Sequence, residues 1–303
     1  MPTWAVTSDV AFARSTTDRS VHETAERAAG GSARDSVGGY VGYEEWLGSP
    51  MIRREVARCG FALILAFGDR LDVCDRVGGS TRSLGAFVVG PQSHATLTTV
   101  SGHQHGVQVE LTDAGAVTLL GSVRELKDDV IPIVDVLGSW GARLVERLGN
   151  MATWEERFCV LDQVMACPPT GGEWAADAIS PEVVWLRRQL AATGGQARVE
   201  PLMDETGWSR RVVTERFRAQ LGVSPKAYAR IVRFRRAVGL LGGMGHGRTL
   251  ADVAMECGYY DQSHFARDCV ALAGCPPSAL LAESSGDPGV RFLQDDRPVG
   301  SVP

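Results

Sequence analysis

Apolar residues recur with a helical period over the last third of the chain and with a strand-like rhythm before it. Between Thr249 and Leu280, the residues Leu250, Val253, Ala254 and Cys257 fall at i, i+3, i+4 and i+7, so one helix face packs inward behind a Thr249 cap. Gly258 closes that helix, and Asp261 caps a second one running from Gln262 towards Ala273, with Phe265 and Leu272 facing the first. The same layout occurs upstream. Val199, Leu202, Met203 and Thr206 line one helix, Gly207 and Trp208 turn the chain, and Ser209 caps a helix that carries Val213, Phe217 and Leu221 inward. Between the copies, Ser224 and Pro225 open a long helix, because serine caps well and proline suits the first helical position. Its roughly seventeen residues span on the order of 25 Å. The pattern predicts two helix-turn-helix units joined by a rod. Second helices held roughly 34 Å apart would enter successive major grooves on one face of a DNA duplex.

Ahead of this region the rhythm is that of strands. FALILAF (61–67) is a continuous apolar run, Gly68-Asp69 turns the chain, LDVCDRV alternates, and Gly78-Gly79 turns it again before LGAFVVG. Ala95 to Val100 reads as a further strand, SGHQHG as a loop, and VQVEL as the next strand. Five or six short strands predict a small antiparallel sandwich or barrel, whose cavity suits a ligand. DAGAVTLLG, closed by Gly121, then SWGARLVERLG and TWEERFCVLDQVMA read as helices. The expected fold class is α+β, an N-terminal antiparallel β domain with helices followed by an all-α domain. The expected boundaries are a disordered tail at 1–40, with a short helix at Val21 to Ala29, a sensing or dimerising domain at 41–167, a Pro- and Gly-rich linker at 168–180, the helical pair at 181–282 and a tail at 283–303.

With 303 residues and 44% hydrophobic content, the chain can build two cores. A net charge of -5 looks wrong for a nucleic-acid binder until it is divided. Residues 183–282 hold 14 Lys and Arg against 8 Asp and Glu, a balance of +6, which leaves -11 on the remainder. Phosphate neutralisation depends on local charge, and an acidic partner domain limits non-specific sticking. No run is apolar enough to span a membrane, and the N-terminus lacks a basic-then-apolar signal, so a cytoplasmic location is expected. Cys59, Cys74, Cys159, Cys167, Cys257, Cys269 and Cys275 form no C-x-x-C pair and read as small buried hydrophobes.

The second helix of each unit supplies the candidate base-reading residues. Arg211, Thr214, Glu215 and Arg218 share one side of the first such helix, with Arg210 beside them at its start; Gln262, Ser263, His264 and Arg267 are presented by the other. Arg211 suits a bidentate guanine contact, Gln262 adenine, and Arg267 guanine or backbone. Glu215 could accept from a cytosine amino group or orient Arg211 or Arg218. Arg230, Arg233, Arg235 and Arg236 divide between phosphate contact and solvation of the long helix, and Trp208 reads as a packing wedge.

The stretch GWSRRVVTERFRAQLGVSPKAYARIVRFRRAVGLL, followed by TLADVAMECGYYDQSHFARDCVALAGCPPSALL, resembles the AraC/XylS family of bacterial transcription regulators over about the last third of the chain. FVVGPQ, GHQHGVQVELTDAGAVTLLG and RELKDDVIPIVDVLG resemble the cupin-like N-terminal domain of some actinobacterial members. The resemblance implies a sequence-specific transcription regulator, of activator type, binding double-stranded promoter or operator DNA. RNA polymerase, a second copy of the chain and a small-molecule effector are its implied partners. Cys269 stands where the family usually has a large aromatic residue, which implies looser packing of the second unit, and Val270 and Ala271 stand where basic residues are common, which removes phosphate contacts and implies weaker DNA affinity there.

His103, His105 and Glu110 give H-x-H-x4-E, part of the cupin metal signature. On an unbroken strand the even step from His103 to His105 keeps one face, while the odd step to Glu110 changes it. No metal or other cofactor is therefore expected, and His94 reads as a surface-loop residue. No G-x-S-x-G or Walker loop is present, so no catalytic residues are assigned and the chain is not read as an enzyme. The alternative is a metal-dependent cupin-type enzyme whose C-terminal helices tether it to DNA.

Overall fold

β-Branched and aromatic residues in alternation build a ten-stranded sheet from the first half of the chain. The computed structural model describes residues 3–7, 10–17, 20–74, 79–121, 126–167, 179–242 and 248–286. Its strands are β1 (Thr3–Thr7), β2 (Val10–Thr17), β3 (Ser20–Arg27), β4 (Val37–Glu55), β5 (Phe61–Ala66), β6 (Leu71–Cys74), β7 (Thr81–Leu84), β8 (Phe87–Val89), β9 (Thr96–Leu111) and β10 (Val130–Pro132). The order is β1-β2-β3-β4-β9-β5-β8-β10, with β6 bridging β7 and β9. The long β9 pairs antiparallel with β6 near its start, Thr99 opposite Asp72, and with β5 near its end, Val107 opposite Leu65. Three helices accompany the sheet: α1 (Asp113–Leu120), α2 (Ile133–Gly149) and α3 (Trp154–Ala166). Thr153 and Glu156 form a capping box at the start of α3, which satisfies two otherwise orphaned backbone donors.

Two expectations are corrected here. The segment expected to be a disordered tail, 1–40, contributes β1, β2, β3, a short 3-10 turn at Gly31–Asp35 and the start of β4, and the helix expected at Val21 to Ala29 is strand as far as Arg27. The reason is tertiary. Thr24 and Ala25 are buried where β3 pairs with β4, which lies far enough along the chain to be invisible to a local window. Asp162 of α3 anchors the segment from the other side. It accepts from the Gly30 amide and the Tyr40 hydroxyl, each at 2.9 Å, and pairs with Arg27. Burial and that carboxylate push the Tyr40 hydroxyl pKa upward. The second correction concerns SGHQHG, expected as a loop, which is the middle of β9.

The described residues resolve into two compact units. One comprises 1–53, 60–90 and 97–178; the other comprises 54–59, 91–96 and 179–303. A boundary within the expected linker at 168–180, most of which lies outside the described residues, therefore leaves out two short stretches of the helical unit. That unit contains α4 (Pro181–Ala192), α5 (Val199–Glu205), α6 (Arg210–Leu221), α7 (Pro225–Gly242), α8 (Leu250–Glu256), α9 (Gln262–Ala273) and α10 (Pro277–Gly286). The expected tail at 283–303 begins inside α10, and 287–303 lie outside the described residues.

Two apolar clusters hold the helical unit together. Val183, Leu186, Met203, Val213, Phe217 and Leu221 meet Tyr228 and Ala229 of α7 in the first. Val253, Ala254, Phe265, Cys269 and Leu272 meet Ile231, Phe234, Ala237 and Val238 of α7 in the second. The stretch 54–59 joins the second cluster: Ala57 is fully buried there and donates its amide to the Leu272 carbonyl at 3.0 Å. Arg54 donates to the Ala273 carbonyl at 2.9 Å and pairs with Glu283. Carbonyls in the last turn of a helix have no intrahelical partner, so these contacts complete the end of α9. Asp268, on the same helix and 3% exposed, pairs with Arg230 of α7 at 2.8 Å.

All seven cysteines are free thiols, but only Cys257, Cys269 and Cys275 are buried; Cys59 and Cys74 are half-buried, and Cys159 and Cys167 are exposed. Burial pushes the Cys269 thiol up to about 12, which keeps it protonated and unreactive.

Replacing Ala57 by Asp places an unpaired charge in this core and is expected to cost about 3 kcal/mol or more. The check is the urea midpoint of the full chain, and an unchanged midpoint would show that 54–59 does not belong to the folded helical unit. Asp268→Ala is expected to cost about 1–3 kcal/mol, the lower end reflecting the partial exposure of Arg230. Thermal melting of that variant alongside Arg230→Met measures it, and the two losses should be similar if the pair is what each removes.

Candidate nucleic-acid interface

The two halves of the helical unit are built by the same local chemistry. In each, a glycine with left-handed backbone makes the turn, Gly207 at φ 75° and Gly258 at φ 76°, a conformation that side chains with a Cβ rarely adopt. A capping side chain then starts the following helix: Ser209 accepts from the Val212 amide at 3.4 Å, and Asp261 from the His264 amide at 2.6 Å. The helices that result, α6 and α9, are each 12 residues long. Val213, Phe217 and Leu221 of α6 and Phe265, Cys269 and Leu272 of α9 face inward, which turns the polar side of each helix outward.

Of the residues assigned to α6, Arg211 and Glu215 are 85% and 60% exposed and pair one turn apart through Arg211 Nε at 2.9 Å. Glu215 thus orients Arg211 rather than Arg218, which stays exposed on the same helix. Thr214 is half-buried and donates its hydroxyl to the Arg210 carbonyl. Arg210 is held back against α5, donating to both carboxylate oxygens of Asp204 at 2.8 and 2.6 Å. On α9, Gln262, Ser263 and Arg267 are exposed, while the half-buried His264 ring packs edge-on against Tyr259 at 5.1 Å. The structure therefore brings Arg211, Glu215 and Arg218 together on one free face and Gln262, Ser263 and Arg267 on the other, with Arg210 paired to Asp204 at the surface and His264 packed on Tyr259.

Other arginines are engaged as well. Arg216 lies over the Trp208 ring at 5.0 Å, which fixes the half-buried Trp208 as a packing residue, and Arg233 lies over Tyr259 at 5.0 Å. Tyr260, which the sequence pattern treats only as part of a turn, is 91% exposed immediately before the cap of α9. Val270 is 57% exposed, at a position where the resemblance leads one to expect a basic residue.

In the sheet unit, β9 runs unbroken through His103 and His105. Glu110 accepts from Gln108 and is not grouped with the two histidines; Glu44 of β4 stands with them instead. Burial and the nearby Arg157 guanidinium lower His105 to about 4, so its imidazole is neutral at pH 7. Glu44 was missed because it lies on another strand, at a distance in sequence that no short motif spans. His94 belongs to the helical unit and is not part of this group. Among the described residues, no helix is long and apolar enough to cross a membrane.

Residues 202–283 match the family model described as a helix-turn-helix domain. The chain is 31% identical over 112 residues to the HTH-type transcriptional activator RhaR of Escherichia coli (strain K12), which covers 37% of this chain and 36% of that protein. RhaR of Shigella flexneri serotype 5b (strain 8401) matches to the same extent. The match thus spans about a third of the length of these relatives. Among solved structures, ToxT from Vibrio cholerae O395 aligns with a TM-score of 0.46 and 11% identity over 79% of this chain and 95% of that one. Over residues 202–283, which run from within α5 through α9 and into α10, the chain carries a helix-turn-helix domain.

Proposed function

We propose that the chain is a sequence-specific transcription regulator that reads double-stranded promoter or operator DNA through α6 and α9. The observation that carries this reading is the pairing of two equally long helices, each capped by a side-chain oxygen and each with a free polar face, packed at opposite ends of the 18-residue α7. At 1.5 Å per residue that rod is about 27 Å long, a length suited to placing the two faces in neighbouring major grooves. Arg211 reads guanine: its bond to Glu215 uses Nε, which leaves the two terminal nitrogens for the O6 and N7 edge. Gln262 reads adenine in the second groove, and Arg218, Ser263 and Arg267 contribute base or phosphate contacts. Thr214 and His264 support these helices from half-buried positions, and Arg210 braces the start of α6 through its surface pair with Asp204. The sheet unit senses a small molecule or joins two copies, and the regulator works in the cytoplasm with RNA polymerase as its eventual partner. No catalytic role is part of this reading.

The test uses the full-length protein, a binding site selected from random duplexes, and fluorescence anisotropy against both that site and random DNA. Arg211→Ala is expected to lose about 1–3 kcal/mol at the selected site and to relax selectivity at one base pair. Gln262→Ala should relax a different base pair about 10 bp away. An equal loss on selected and random DNA would show that Arg211 meets only phosphate, and absence of any preferred site would overturn the reading as a whole.

A further inference from the structure

Outside the helical unit, the sheet holds a cluster of donors that the DNA-binding reading does not use. β4 and β9 are neighbours in the sheet. Glu44 of β4 and His103 and His105 of β9 offer three ligand atoms that all lie within 4.8 Å of one another. His103 Nε2 is 3.0 Å from Glu44 Oε1, and the His103 and His105 rings are 5.5 Å apart, centre to centre. His105 Nε2 is buried without a hydrogen-bond partner among the described residues. A buried imidazole nitrogen left without a partner loses its hydration for nothing in return, and metal coordination is one way to recover that loss.

We propose that Glu44, His103 and His105 form a binding site for one divalent first-row transition ion, of which zinc is the representative. Metal–nitrogen and metal–oxygen bonds of about 2.0–2.2 Å allow two ligands of one ion to sit up to about 4 Å apart, so small side-chain rotations complete the set. The surroundings fix the ligands. Trp46 stacks on His103 at 3.9 Å, the His103 amide donates to Asp69 at 2.8 Å, and Phe67 and Trp154 hold His105 edge-on at 4.4 and 5.4 Å. Glu23 faces Glu44 across the β3–β4 ladder and adds negative charge to that part of the sheet. The opposing charge is Arg157, whose guanidinium donates to the Leu148 and Met151 carbonyls and lies over Trp154 at 4.6 Å. That cation disfavours hard ions held by charge alone, whereas imidazole nitrogens bind transition ions by donation. Three protein ligands leave coordination positions open for water or a small effector. The site stands independently of whether the helical unit reads DNA.

Untagged full-length protein, stripped with chelator and titrated with zinc chloride by calorimetry, is expected to take up one ion per chain. His103→Ala, His105→Ala and Glu44→Gln are each expected to weaken binding by about tenfold or more, and Glu110→Gln to leave it unchanged. Circular dichroism and melting of the variants separate ligand loss from misfolding, with the isosteric Glu44→Gln as the mildest change. Cobalt chloride supplies a second readout, because a nitrogen and oxygen ligand set gives weak visible bands without thiolate charge transfer. Failure of the wild type to bind at one ion per chain would overturn the proposal. So would binding retained in all three folded variants, or a thiolate-type cobalt spectrum, which would place the ion on exposed cysteines.

Discussion

One helix, α7, sets the geometry of the helical unit because it buries residues in both apolar clusters. Tyr228 and Ala229 belong to the first cluster, and Ile231, Phe234, Ala237, Val238 and Leu241 to the second. An α-helix rotates by about 100° per residue, so the positions along α7 that turn inward at each end determine the rotation of one helix pair against the other. Adding or removing a single residue in the middle of α7 would turn α9 by about 100° relative to α6 and put Ile231 out of phase with the rest of the second cluster. The spacing of the two free faces is thus encoded in the phase of the apolar pattern, and the outward-facing side chains depend on that phase before their own chemistry matters.

The helical unit is also more than the segment that matches a family model. Residues 54–59 reach the C-terminal end of α9, where Ala57 and Arg54 take up the Leu272 and Ala273 carbonyls, and Arg54 bonds across 219 positions of sequence. Gly274 ends α9 in a left-handed turn, which frees these carbonyls to accept from outside the helix. The small Cys269 lies fully buried in the same cluster as Ala57. A core assembled in this way draws on an upstream stretch for part of its packing, and a domain boundary drawn from helical periodicity alone misses it.

Much of the helical unit was legible because its signals are local. Thr249, Asp261 and Ser209 cap the helices they were expected to cap, α9 spans Gln262 to Ala273 as its period implied, and the inward residues are buried apart from Leu202, Thr206 and Leu250, which are half-buried. The sheet was legible only in part. FALILAF carries its burial in its own sequence, whereas β3 has few apolar residues and is ordered by β4 and by Asp162 of α3. SGHQHG reads as a loop by sequence because glycine and polar residues usually break strands; here Gly68 sits closely against the backbone of His103 and His105, leaving no room for a Cβ. The parity argument about His103, His105 and Glu110 followed from strand geometry, but it could not nominate Glu44, since register between distant strands is a tertiary property. The expectation of seven buried cysteines failed for a similar reason: a thiol's type says little about which face of a helix carries it.

Charge, finally, has to be counted by availability and not by composition. Residues 183–282 carry an excess of +6, yet Arg210, Arg216, Arg230 and Arg233 are committed to Asp204, Trp208, Asp268 and Tyr259 within the unit. Phosphate affinity scales with the number of charges that can be presented to the backbone, so an arginine already holding the fold adds little to it unless that bond is exchanged. Arg211, Arg218 and Arg267 remain on the free faces of α6 and α9, and Val270 and Ala271 add no charge to the second. On the proposed reading, such a surface derives less of its binding from general attraction to nucleic acid and more from the few exposed side chains offered to base edges. Discrimination between sequences then comes from the rigidity with which those few are held, which returns the burden to the caps, the turns and the packed face of α7.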